Sequence, residues 1–424
     1  MWLKVEGFKE VLRKWWEGIQ VSGTASYILS EKLKALKPIL KKWNTEVFGQ
    51  IKVKKQEAWN SLDFWDKEER VRELSLEEEE ARKEAREMYK KWVLLEETSW
   101  RQKSREIWLK EGDRNTRFFH QMANAHRRRN QMNRVKVNGR WYNEEREIKE
   151  EVCRVYQGLL ADPGGWKPRI DALMFERLEE GDVEGAGEAF HGGGEEVMNF
   201  FRQFHETESF VRSLNATFLV LIPKKGGAED LKDFRPISLV EGLYKWLAKV
   251  LANKMKGVLA KVISTSQNAF VEGRQIMDTV LVANEAIDSI VKSNRGAILC
   301  KLDIEKAYDH VNWDFLLAMM EKMGFGERWC RRIKWCLSTV RYSVMVNGSP
   351  TGFFQSSRGL RQGDPLSPYL FVVVMEAFSV LIKKAVVGGF LAPCLIRGRG
   401  GEGVQISHLL FADDTLIFCE AMED

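Results

Sequence analysis

Phe411-Ala412-Asp413-Asp414 lies between two largely apolar runs, Ile406 to Leu410 and Leu416 to Cys419. Two short apolar runs separated by a few polar residues predict a hairpin with both carboxylates at or beside its turn. Carboxylates about 4 Å apart repel by about 4 kcal/mol at an effective dielectric near 20. A divalent cation between them reverses that sign. A solvated turn accounts for Asp-Asp taken alone, so the weight falls on what else the chain places beside it.

The companion is Leu302-Asp303-Ile304-Glu305-Lys306-Ala307-Tyr308-Asp309. It follows the apolar run Ala297 to Cys300 and precedes a helical pattern that starts near Asn312. Asp303 is thereby predicted at the C-terminal end of a buried strand, where α/β folds place their chemistry. In isolation a strand-end cap is the better reading of Asp303, and it is Asp413 and Asp414 that change this. Together, Asp303, Asp413 and Asp414 are hard oxygen donors suited to two Mg²⁺ ions, with Mn²⁺ as a substitute. Such ions sit about 3.5–4 Å apart and clamp the attacking and leaving oxygens of a phosphoryl transfer.

At 424 residues the chain accommodates two or three domains. A net charge of +5 is too small to require a nucleic-acid partner, but its distribution is uneven. Residues 101–140 hold 12 Lys and Arg against 3 Asp and Glu. Arg127-Arg128-Arg129 lies within that segment, with Trp108, Phe118 and Phe119 nearby. Basic groups neutralise phosphates and aromatic rings stack on bases, so the segment is a candidate nucleic-acid contact. A solvated helix face is the alternative. The six cysteines show no CxxC spacing and no His cluster to complete a zinc site, which suits reduced thiols in a reducing compartment. No signal peptide is evident and no apolar stretch reaches the roughly 20 residues of a membrane span. Tyr369 to Ile382 comes nearest and is broken by Glu376. The expectation is a soluble intracellular protein that does not enter a membrane.

Four regions follow from composition and periodicity. Residues 1–133 are predicted to be helical, with Leu29, Leu33, Leu36, Leu40 and Trp43 on one face and Pro38 kinking or ending that helix. Glu77 to Glu80 read as a solvated face paired with later basic residues. Trp59, Trp65, Trp92, Trp100 and Trp108 are predicted to pack helices together. Residues 134–178 read as a hairpin turning at Asn138-Gly139, then a helix from Glu144 to Leu160. Residues 179–196, rich in glycine and acids, read as a linker. Residues 197–424 carry the carboxylates. Within them, Asp364-Pro365 predicts a helix start, with Asp at the cap and Pro in the first turn. Trp313, Trp329 and Trp335 are predicted core, and His310 and His408 are left out of the metal site because Mg²⁺ prefers oxygen.

Six ordered blocks carry a resemblance. They are Phe218 to Lys225; Asp233 to Leu239; Ser266 to Val271 with Gly273-Arg274; the Asp303 segment; Gly359 to Pro368; and Phe411 to Asp414. Over about residues 215–420 this series resembles the palm of a reverse transcriptase of the non-LTR (LINE-type) retrotransposons, those of plants most closely. Trp108 to His120 resembles the stretch between endonuclease and polymerase in such elements. The resemblance implies an α+β right-hand polymerase palm with partial fingers, an antiparallel sheet backed by helices, after a mostly helical N-terminal region. It implies an RNA-directed DNA polymerase acting on an RNA template, a DNA primer and deoxynucleoside triphosphates. Asp303, Asp413 and Asp414 would then hold the metals, with Asp414 less tightly engaged. Lys224 and Arg235 would contact the triphosphate, with Lys225 able to serve in place of Lys224. Tyr308 would close the space beside the sugar 2′ position, and Gln362 and Gly363 would approach nucleotide and template.

The family's Pro-Gly-Pro-Asp-Gly motif is absent near residue 190, where an internal deletion is the simplest account. The chain also stops ten residues after Asp414, so a missing thumb, an exposed sheet edge after Cys419 and weak extension are expected. Two other functions compete: a catalytically inert nucleic-acid-binding remnant, and a group II intron maturase-like protein. The LINE-like finger and N-terminal segments speak against the last.

Overall fold

The computed structural model describes the chain apart from residues 1, 3–4, 6, 49, 105–130, 165–169, 180–193, 294–295, 398–402 and 422–424. It divides into two compact units, Met1–Gln131 and Met132–Asp424. Arg127, Arg128 and Arg129, and most of the predicted linker, lie outside the described residues.

The first unit is helical: α1 (Phe8–Gly18), α2 (Ala25–Phe48), α3 (Ile51–Val71) and α4 (Leu76–Ser104). The α2 stripe is as predicted, with Leu29 and Leu36 buried and Leu33, Leu40 and Trp43 half-buried. Pro38 does not end the helix, which runs ten residues beyond it. It sits on the exposed face, so its missing N–H and its ring are accommodated there while the apolar stripe keeps its packing. The α3–α4 core holds Ile51, Trp92 and Leu95. Trp59 is 44% exposed, yet its ring lies 5.2 Å from Tyr89 on α4. Glu78 pairs with the preceding Arg72, not with a later residue, because it also closes a capping box with Ser75 that starts α4.

The second unit opens with a hairpin, β1 (Val135–Val137) and β2 (Arg140–Tyr142), turning at Asn138 and Gly139, both at positive φ. Helix α5 (Glu145–Leu159) follows. These elements are not a separate body. Val135, Val137, Ile148, Val152 and Tyr156 share one core with Leu219, Tyr342, Val344 and Phe354. That core backs a five-stranded sheet of β3 (Ala216–Pro223), β4 (Phe234–Val240), β6 (Arg341–Val346), β7 (Ser349–Pro350) and β8 (Phe354–Gln355). The sheet is mixed, because β3 runs antiparallel to β4 but parallel to β6.

A second, three-stranded antiparallel sheet has the order β11 (His408–Phe411), β12 (Asp414–Glu420), β5 (Ala297–Asp303). A two-stranded pair, β9 (Cys394–Arg397) and β10 (Gly403–Ile406), lies beside it. The apolar run predicted as one hairpin arm is thus divided at Ser407, with Ile406 in β10 and the arm beginning at His408. Helices α6 (Glu195–Thr207), α7 (Gly242–Val262), α8 (Ile276–Ser293), α9 (Trp313–Lys322), α10 (Glu327–Ser338) and α11 (Ser367–Val387) complete the unit. Side chains of α8 pack with Leu409 and Phe418 of the second sheet. Trp329 is buried, while Trp313 and Trp335 are half-buried. All six cysteines are free thiols. No helix among the described residues is long and apolar enough to cross a membrane.

Candidate active site

Strands β11 and β12 meet through a two-residue turn, Ala412-Asp413, closed by the pair Phe411 and Asp414. Ala412 has φ 58°, while Asp413 keeps a negative φ. Positive φ at the first central residue alone is the type II′ pattern. Glycine is the usual occupant, and alanine in that region costs about 1–2 kcal/mol. The expected hairpin therefore forms, with Asp413 in the turn and Asp414 as the first residue of the strand.

Asp303 ends β5 directly opposite Asp414. The strand is not buried as predicted. It is the outer strand of its sheet, and Ile298, Leu299 and Leu302 are exposed. A cavity of about 760 Å³ opens at its C-terminal end. Asp303, Asp413, Tyr308, Lys224, Arg235, Gln362 and Gly363 all line it. Asp414 does not, and its carboxylate pairs with Lys301 at 3.4 Å. Two of the cavity's carboxylates thus come from the end of β5 and the adjoining β11–β12 turn, and two of its cations from the β3–β4 edge.

Lys225 is engaged by Asp233 at 2.9 Å, while Lys224 lines the cavity. Arg235 is exposed and forms no ion pair among the described residues. The Tyr308 ring stacks on Phe371, centroids 4.7 Å apart and planes 12° apart. Burial, and then the charge of Asp413, push its hydroxyl up to about 12, so it stays protonated at neutral pH.

The segment carrying Gln362 and Gly363 is pinned at both ends. Arg361, 3% exposed, stacks its guanidinium 3.9 Å from the Tyr244 ring centroid. Its Nε meets Asp364 at 2.9 Å, and its other nitrogens donate to Asn215 Oδ1 and the Cys336 carbonyl. Asp364 also accepts from the Tyr244 hydroxyl and the Leu366 N–H. Its bond to the Leu366 N–H closes a local turn ahead of the helix, not the helix itself. Helix α11 starts at Ser367 instead, with Pro368 in its first turn. Gly363 has φ 97°, and a Cβ there would sit 3.3 Å from the Ser238 carbonyl oxygen. The Ser238 N–H donates to the Gln362 carbonyl at 2.8 Å, so the turn lies flat against β4.

The family model described as reverse transcriptase (RNA-dependent DNA polymerase) matches residues 222–424. Those residues are a reverse transcriptase domain. Among its relatives is the transposon TX1 149 kDa protein of Xenopus laevis, 31% identical over 228 residues, 52% of this chain and 17% of that protein. The Pol polyprotein of the R2 retrotransposable element of Nasonia vitripennis is 30% identical over 206 residues, 48% of this chain and 19% of that protein. An uncharacterized mitochondrial protein of Arabidopsis thaliana is 48% identical over 71 residues, 17% of this chain and 56% of that protein. The chain spans less than a fifth of the length of the first two.

The donor set of this reverse transcriptase domain fits Mg²⁺. The Asp303 and Asp413 side chains carry no hydrogen bond or ion pair among the described residues, and both face one cavity. Mg²⁺ is commonly held by one or two carboxylates plus substrate phosphates, not by a full protein cage. No group of three or more His, Cys, Asp or Glu poised for a metal stands among the described residues. His408 is buried and bonded to Ser379 and Ser407, its imidazole pushed down to about 4 by burial.

Two residues of the domain's cavity escaped the sequence. Asp309 follows Tyr308 and is 5% exposed, its carboxyl pushed up to about 6 by burial against the pull of Lys306 and Arg358. Arg361 reads in sequence as one more charge. Helix α5, outside the family match, also contributes Val155, Tyr156 and Leu159 to the wall.

Proposed function

We propose that this chain is the polymerase portion of a non-LTR retrotransposon protein and extends a DNA primer on an RNA template. The supporting observation is that Asp303 and Asp413, far apart in sequence, face one cavity with Lys224 and Arg235. Asp303 and Asp413 would hold divalent metal, with Asp414 at the margin. When bound, Mg²⁺ or Mn²⁺ would lower the pKa of the primer 3′-hydroxyl and neutralise charge on the triphosphate.

The protein's own groups do the rest by positioning. Arg235 offers a planar fork to phosphate oxygens, and Lys224 offers a point charge. Tyr308, braced by Phe371, fills the space beside the sugar 2′ carbon and disfavours a ribonucleotide. Gln362 and Gly363 let an amide and bare backbone approach the base pair. No side-chain nucleophile is needed, because the primer supplies it. The basic segment 101–140, with Arg127, Arg128 and Arg129, would hold RNA by phosphate neutralisation.

Primer extension on an RNA template with Mg²⁺ tests this directly. DNA product is expected, and Asp413→Asn should lower its rate by about 100-fold or more. RNA binding without any extension would replace the proposal with the inert nucleic-acid-binding alternative.

A further inference from the structure

Segment Ser266–Ala269 runs beside β11 without belonging to a strand. The Asn268 N–H donates to the Leu410 carbonyl at 3.0 Å, and the Leu410 N–H to the Ser266 carbonyl at 2.8 Å. Gln267, 1% exposed, turns its side chain towards the β11–β12 turn. Its Oε1 accepts from the Ala269 N–H at 3.0 Å and from the Ala412 N–H at 3.2 Å. Both partners are main-chain donors, so the amide orientation is fixed by chemistry: the reverse orientation would set NH₂ against two N–H groups. The segment is itself locked. The Arg274 guanidinium donates to the carbonyls of Gln267 and Ser264, each at 2.6 Å, and of Ile263 at 3.0 Å.

The Ala412 N–H has no ladder partner, because the closing pair of the hairpin is Phe411 and Asp414. Ala412 is 8% exposed, so water is a poor substitute for that acceptor. It is also the residue at φ 58°, which alanine avoids. The next residue is Asp413. We infer that Gln267 is a positioning residue for the metal site: its side-chain carbonyl holds the Ala412 main chain in its left-handed conformation and so aims Asp413 into the cavity. This rests on Asp413 being a metal ligand, as proposed above. Asp303 lies on another strand and is not governed by Gln267.

The test is Mn²⁺ binding by the full chain, read as loss of the free-ion paramagnetic resonance signal, with no nucleic acid present. Asp413→Asn is expected to weaken binding about tenfold or more, and Gln267→Met, of similar size but without the acceptor, about threefold or more. Glycine adopts positive φ at little cost, so adding Ala412→Gly to Gln267→Met should recover affinity to within about twofold. A general packing defect would not be rescued by that second change. If Asp413→Asn weakens binding while Gln267→Met leaves it unchanged, or if the double variant shows no recovery, the inference is overturned. If Asp413→Asn has no effect, the metal role of Asp413 falls instead. Hydrogen exchange of the wild-type chain decides the matter should Gln267→Met fail to fold. The Ala412 amide should be protected like its neighbours in β12, and exchange as fast as a free turn amide would overturn the inference.

Discussion

Burial sets the charge of Asp309. Its carboxyl titrates at about 6 instead of 3.8, so the folded chain prefers it protonated. The stability this group supports is therefore complete below about pH 4, fades as pH rises towards 6, and is absent above it. Once ionised, the group costs the folded state up to about 3 kcal/mol. Asp309→Asn is expected to gain about 1–3 kcal/mol at pH 7.5 and almost nothing at pH 4, measured by urea unfolding at both. An equal gain at both pH values would refute this. Sequence could not single out Asp309, because its burial comes from a 3₁₀ turn (Ala307–His310) clasped by distant residues: the Leu360 N–H bonds the Tyr308 carbonyl, and the Gly359 N–H bonds the Val311 carbonyl. The choice between Lys224 and Lys225 was open for a similar reason: the Lys225–Asp233 pair that distinguishes the two exists only in the folded chain.

Between residues and domains, the decisive device is the buried Arg361–Asp364 pair with Tyr244. Removing one partner of such a pair strands the other charge away from water. Arg361→Met is expected to cost about 3–5 kcal/mol, and adding Asp364→Asn should return about half of that, both read from urea unfolding. Additive losses would show that the pair is not coupled. Elements coded by adjacent residues were legible beforehand. The Asn138-Gly139 hairpin, helix α5 and the β11–β12 turn carry their signals within a few residues. The start of α11 was misplaced because Asp364 has a good capping signature, while in the fold it bonds Arg361 and the distant Tyr244 and the helix begins at Ser367. Likewise, of the two outcomes that Pro38 predicts, a kink or an end, the end does not occur, and the helix runs on with its apolar stripe.

Across the whole molecule, pairing between distant strands was the least legible feature. Nothing in the apolar pattern of β3 announces a parallel partner in β6, nor does β5 declare itself an outer strand. The exposed edge was expected after Cys419, but β12 is central, and the outer strands are β11, flanked by Ser266–Ala269, and β5. Ile298 on that strand is 62% exposed. Unprotected apolar edges template association, and a charge placed there discourages it. Ile298→Lys is expected to reduce light scattering on concentration while shifting the thermal midpoint by no more than about 2 °C. Unchanged scattering would point to another surface. The cavity has a consequence for biosynthesis as well, since its walls reach from Val137 to Asp413. At about 5–20 residues per second, a ribosome needs roughly 15–55 s to travel from the first wall to the last. Until then the cavity lacks its last wall, so a transcript cut short before that codon would yield a protein with an open, incomplete cleft, however well its earlier helices form.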